Sequence, residues 1–167
     1  YQTLMESYKG SYEFQSVSDC EVIIPMFMEL GMEETARRLD AEFVCVLYDA
    51  EVDKYFAARD PVGIRPMFYG YASDGKIMFA SEMKALSELC AVVRPFPPGH
   101  IYDGAKFICY TDIAEVEEFV DHEIEEVYEH INDLLTKGVE KRLHADVPVG
   151  FLLSGGLDSS LVCAIGA

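Results

Sequence analysis

The hydrophobic period changes once along this chain of 167 residues, and that change limits what each part can fold into. Up to about residue 112, apolar residues come in short strand-forming runs, at 42–48, 54–58, 67–71, 77–80, 100–102 and 106–110. Turn formers such as Asp74-Gly75 and Asp103-Gly104 separate them, so the pattern predicts antiparallel β structure with short helices around it. From 121 to about 144 the period becomes helical, with Ile124, Val127, Tyr128, Ile131, Leu134, Leu135, Val139 and Leu143 on one side. Asp146-Val147-Pro148 then ends the helix, and 149–153 reads as a buried strand of the parallel-sheet kind. A boundary is expected between residues 112 and 121.

Ahead of the strands, 2–8 reads as a short helix and 12–15 as a short strand. Ser18 and Glu21 have the S-x-x-E spacing of a capping box, and Val22, Ile23, Met26, Phe27 and Leu30 follow at helical spacing until Gly31 stops them. Pro25 lies inside that helix and predicts a kink or a locally broken bond. A second helical stretch runs near 32–39.

The most specific string is Phe151-Leu152-Leu153-Ser154-Gly155-Gly156-Leu157-Asp158-Ser159-Ser160, an apolar run entering a glycine turn that opens a helix. Glycines let backbone N–H groups approach an anion, hydroxyls add donors, and the helix start adds partial positive charge, so phosphate binding is expected. The N–H groups of 155–160 should converge on one point. A P-loop would need a lysine that is absent, and a serine-hydrolase elbow would need glycine where Leu152 stands. An aspartate facing phosphates would repel them unless a divalent cation lay between, so the loop itself implies a metal.

Thirteen basic against thirty acidic side chains give a formal charge of −17, which disfavours nucleic acid and anionic membranes as partners. Eight of the acids lie between Glu115 and Glu129 and read as a solvated linker and helix face. Five widely spaced cysteines without a C-x-x-C pair suit reduced thiols, and the histidines have no zinc-ligand spacing. With no long apolar run and no leader-like start, the expectation is a cytoplasmic protein without a membrane span.

The S-G-G-L-D-S-S string resembles the pyrophosphate loop of the ATP pyrophosphatase family, which adenylates a substrate and releases pyrophosphate. That resemblance implies that Ser154, Gly155, Gly156, Ser159 and Ser160 contact ATP phosphates, that Leu152 lies against the adenine, and that Asp158 helps to hold Mg2+. Upstream, Ala58-Arg59-Asp60-Pro61-Val62-Gly63-Ile64-Arg65-Pro66, Ala80-Ser81-Glu82-Met83-Lys84-Ala85-Leu86 and Pro95-Phe96-Pro97-Pro98-Gly99 together resemble class II glutamine amidotransferases, which are N-terminal nucleophile hydrolases. The combination of both halves resembles glutamine-hydrolysing asparagine synthetases and their β-lactam synthetase and lasso-peptide cyclase relatives.

What the resemblance implies is an α+β chain in two parts. Residues 1–115 would be the C-terminal part of a glutaminase domain (αββα, mostly antiparallel sheets), and 116–167 the first helix, strand and loop of a parallel-sheet synthetase domain. Substrates would be glutamine, ATP and aspartate, with room for a homodimer. Ser18-Asp19-Cys20-Glu21 matches the family's S-D-C-E, in which the Asp binds the α-amino group of glutamine, a charge-assisted contact. Asp19 also suits a plain role at a helix start. Arg59, Asp60, Glu82 and Lys84 fit a polar network beside the glutaminase site, a route to the synthetase, or structural ion pairing. The family's terminal nucleophilic cysteine and its N-G-E-I-Y-N stretch have no counterpart here, since no cysteine precedes Cys20, so the chain is expected to be an internal fragment inactive by itself. Cys20 lacks a histidine within twenty residues and is a poor substitute nucleophile. Two other readings are a related amide-forming enzyme and a non-catalytic interaction module; Asp19 speaks against a decayed glutaminase.

Overall fold

A computed structural model describes residues 2–116, 118–119, 121–143, 145 and 147–167. They group into two compact units that divide between residues 116 and 117.

In the first unit, α1 (Gln2–Tyr8) is followed by a 3-10 turn (Asp19–Val22) and α2 (Ile23–Arg38), then by seven strands: β1 (Val44–Asp49), β2 (Lys54–Arg59), β3 (Phe68–Ala72), β4 (Ile77–Ala80), β5 (Cys90–Pro95), β6 (His100–Tyr102) and β7 (Phe107–Cys109). They form two antiparallel sheets, ordered β1-β2-β6-β7 and β4-β3-β5. Consecutive residues of a strand face opposite sides, so the larger sheet must be apolar on both if both are covered. Its central strands meet that demand: Ala58 and Ile101 join Met32 and Ala36 of α2 in one core cluster, while Ala57 and Tyr102 join Met67 and Phe96 in another. The unit is thus a helix layer on a sheet on a second sheet, which is three layers of the αββα order. Phe96, fully buried, stands 5.0 Å from the Phe107 ring and contributes about 1.5–3 kcal/mol through burial of its side chain.

Two expectations need correction here, and one strand was not foreseen. Residues 12–15 form no strand, only an isolated bridge between Lys9 and Tyr12. Pro25 causes no kink, because α2 begins at Ile23 and the missing N–H falls among the donors a first turn leaves unpaired. The break comes at Gly31, whose φ of 75° and ψ of 172° join two helical stretches into one element. The unanticipated strand β5 pairs, among the described residues, with β3 alone, and its exposed face leaves it without alternating apolarity.

The second unit holds α3 (Ile124–Arg142) and α4 (Leu157–Gly166), which touch each other. Helix α3 ends with Leu143 as its cap; His144 and Asp146, where the stop was expected, lie outside the described residues. Residues 149–153 form no strand. A strand needs a neighbour to take its N–H and C=O groups, and the described residues of this unit contain no second strand to supply one. No helix among the described residues is long and apolar enough to cross a membrane.

Candidate functional sites

Asp19 opens the 3-10 turn and is exposed. Ser18 caps that turn from an extended conformation, its hydroxyl accepting the Cys20 N–H at 3.3 Å. The expected box does not close, because Glu21 reaches past Ser18. Its carboxylate accepts the N–H of Gln15 at 2.6 Å and of Ser16 at 2.8 Å, together with the Ser16 hydroxyl. These donors, the Ser16 hydroxyl foremost, hold the Glu21 carboxyl below its ordinary range. Among the described residues the Asp19 carboxylate, by contrast, is met only by the Cys20 thiol, with sulfur 3.6 Å from Oδ1. Neither the groove of about 900 Å³ beside Tyr55, Phe79 and Tyr102 nor the cavity of about 340 Å³ beside Pro61, Pro98 and His100 includes Asp19, which stands open to solvent instead.

Arg59, Asp60, Glu82 and Lys84, weighed as a polar network or as structural ion pairs, separate into two sets. Glu82 and Lys84 form an exposed ion pair at 2.5 Å. Asp60 is 1% exposed, and its Oδ1 accepts the N–H groups of Val62, Gly63 and Ile64 while Oδ2 accepts that of Arg65. The Arg59 guanidinium donates to the carbonyls of Gly63, Arg65 and Phe96 at 2.7, 2.8 and 2.5 Å. Tyr110, which sequence reasoning missed, donates its hydroxyl to the Arg59 carbonyl at 2.9 Å. A phenol 51 residues away carries no local sequence signal. Side chain and backbone thereby bind 59–66 and 95–99, two of the strings that carry the family resemblance, into one body.

In the second unit, Gly155 turns the chain at φ 83° and Gly156 caps α4 from an extended conformation. Ser154 and Ser159 hydroxyls stand 2.8 Å apart, and the Ser159 and Ser160 hydroxyls donate to the Gly156 carbonyl at 3.1 and 2.7 Å. The Ser160 N–H is also taken, by the same carbonyl at 3.0 Å. Convergence of all the N–H groups from 155 to 160 therefore fails at its last member, which belongs to the helix ladder. Asp158 lies in the first turn of α4 and is exposed, and Leu152 is 95% exposed. Among the described residues no cluster of three or more His, Cys, Asp or Glu side chains could hold a metal ion. Asp158 is therefore a single exposed carboxylate, and any Mg2+ it held would need its other ligands from phosphate oxygens and water.

A family model described as a glutamine amidotransferase domain matches residues 1–136, and one described as asparagine synthase matches residues 130–167. A probable asparagine synthetase [glutamine-hydrolyzing] of Schizosaccharomyces pombe is 44% identical over 168 residues, covering 98% of this chain and 30% of the relative. Asparagine synthetase [glutamine-hydrolyzing] 1 of Saccharomyces cerevisiae is 44% identical, covering 95% of this chain and 28% of its own length. Asparagine synthetase [glutamine-hydrolyzing] 2 of Arabidopsis thaliana is 43% identical, with 99% and 28% covered. The chain spans less than a third of the length of these relatives. Among solved structures, the glutamine phosphoribosylpyrophosphate amidotransferase of B. subtilis superposes with a TM-score of 0.55 at 16% identity, covering 99% of this chain and 41% of that one.

Proposed function

This chain belongs to the family of glutamine amidotransferase domains, and on that premise we propose that it works within a glutamine-hydrolysing asparagine synthetase. Residues 1–115 are read as glutaminase and 116–167 as the start of the synthetase. The observation that carries the reading is one chain joining an antiparallel sheet pair of amidotransferase type to the open S-G-G-L-D-S-S loop at the start of α4. Glutamine amide hydrolysis in the first domain supplies ammonia. In the second, the aspartate β-carboxylate attacks the α-phosphorus of ATP and pyrophosphate leaves; ammonia then displaces AMP from β-aspartyl-AMP and gives asparagine.

Each named residue has a task of its own. Asp19 receives the α-ammonium of glutamine, for which an exposed carboxylate without a cationic partner among the described residues is suited. Ser154, Ser159 and Ser160 turn their hydroxyls from one another and from the Gly156 carbonyl toward pyrophosphate oxygens, joined by the N–H groups of Gly155 and Gly156. Leu152, fully accessible, covers the adenine. Asp158 supplies a carboxylate to Mg2+, whose chemistry there is to neutralise phosphate charge.

The test uses the full-length gene product. Asparagine and pyrophosphate should form from aspartate, Mg-ATP and glutamine. Asp158→Asn should abolish asparagine formation from either glutamine or ammonia and leave glutamate release from glutamine intact. Loss of glutamate release with retained ammonia-dependent synthesis would overturn the assignment of this loop.

A further inference from the structure

The two acids of Ser18-Asp19-Cys20-Glu21 are used in opposite ways, and the difference points to a residue that acts on ligand binding without touching the ligand. Glu21 turns its carboxylate inward on the preceding loop, taking the N–H groups of Gln15 and Ser16 and the Ser16 hydroxyl, with the Tyr12 hydroxyl at 3.5 Å. The Ser16 oxygen passes the constraint on by accepting the Ser18 N–H at 3.2 Å. Ser18 completes the chain by capping Cys20, so the turn that carries Asp19 is fixed from both sides. Asp19, two residues earlier, keeps its carboxylate open to solvent.

We propose that Glu21 is a positioning residue for glutamine: it holds loop 12–18 in the shape that presents Asp19, so that the loop need not be ordered when the ligand arrives. This rests on the reading of Asp19 as the α-ammonium ligand and extends it. A preformed loop lowers the entropic cost of binding, which appears in KM far more than in the chemical step. Glutamine in place of Glu21 would break the arrangement without a change of size, since its NH2 group would face an N–H donor that the carboxylate now accepts. The loop lies at the surface, while the core of the unit is built from Met26, Met32, Ala36 and the sheets. Loss of the carboxylate should therefore leave the fold in place.

The experiment measures glutamine KM and kcat for glutamate release, and asparagine synthesis from ammonia, in full-length Asp19→Asn, Glu21→Gln and Ser16→Ala variants. Glu21→Gln is expected to raise glutamine KM about tenfold, the size of one lost charge-assisted hydrogen bond, with kcat and ammonia-dependent synthesis unchanged. Ser16→Ala, which removes the hydroxyl's bonds to Glu21 and to the Ser18 N–H but keeps the backbone donors of Gln15 and Ser16, should raise KM in the same direction by a smaller factor, and it decides the matter if Glu21→Gln does not fold. Calorimetric titration with glutamine should show the same weakening. If Asp19→Asn raises KM while Glu21→Gln and Ser16→Ala leave it unchanged, the positioning role is overturned and the Asp19 reading stands. If Asp19→Asn leaves KM unchanged, both fall. Equal losses of glutamate release and ammonia-dependent synthesis, with a lowered melting temperature, would make Glu21 merely structural and also overturn the proposal.

Discussion

Asp60 shows how a buried charge can be held by backbone dipoles. Four N–H groups from Val62 to Arg65 point at one carboxylate, so the chain must curl around the side chain to satisfy it. Asp60→Asn keeps one acceptor oxygen but sets an NH2 group against a donor, and should cost about 1–3 kcal/mol in chemical denaturation. A variant as stable as the original would mean that the loop is held by Arg59 and its carbonyl partners instead. Cys45 gives a second residue-scale expectation, because burial pushes its thiol up to about 12 from an ordinary 9.0. Its folded pKa lies above the unfolded one, so its contribution to stability is whole below about 9 and fades as pH rises toward about 12. At neutral pH an aromatic disulfide reagent should therefore label exposed Cys20 and Cys109 long before Cys45 and buried Cys90. Labelling of Cys45 as fast as Cys109 would contradict the burial.

At the scale of elements, close approach of backbone decides more than propensity does. Gly99 has a φ of 63°, and a Cβ placed there would come within 2.1 Å of the Thr111 carbonyl oxygen; Gly75 has a similar φ of 83° with open space around it. Gly75→Ala should cost about 1–2 kcal/mol, the ordinary penalty of the left-handed region. Gly99→Ala adds a collision with backbone and should cost clearly more, measured as the difference between the two denaturation midpoints. Equal midpoints would show that β6 and β7 shift apart at no expense.

The same contrast explains what could be read in advance. Strands β1 to β4, β6 and β7 announce themselves because short apolar runs between turn residues are a local pattern. The break at Gly31 is equally local. Strand β5 is not, since Cys90–Pro95 owes its state to β3, and neither are 149–153, whose apolar run has no strand to join among the described residues of its unit. In the candidate site, Ser18 and the glycine loop were legible as motifs, but the true partners of Glu21 lie five and six residues back, outside any capping pattern. Tyr110 and Arg59 meet only through the fold.

The two units differ sharply as whole bodies, and amide exchange should reveal it. In the first, Ala57, Ala58 and Phe96 are completely buried between three layers, so amides of β2 and β6 should open only with the unit as a whole. In the second, Val139 is the one buried residue in α3 among those described, and α4 has none. Ile124, Tyr128, Ile131 and Leu134 are 52 to 67% exposed on α3. Helices of 19 and 10 residues gain little from propensity alone and are marginal without packing on an apolar face. Amides of α3 and α4 in this chain should thus exchange far faster than those of β2, and denaturant should melt their helical signal before the sheets. The high negative charge keeps such exposed apolar surface apart at low salt, so self-association should grow as ionic strength screens it. Were α3, α4 and β2 to exchange with one common free energy, independent of salt and protein concentration, the chain would be a single cooperative body and the division at residue 116 would have no energetic meaning.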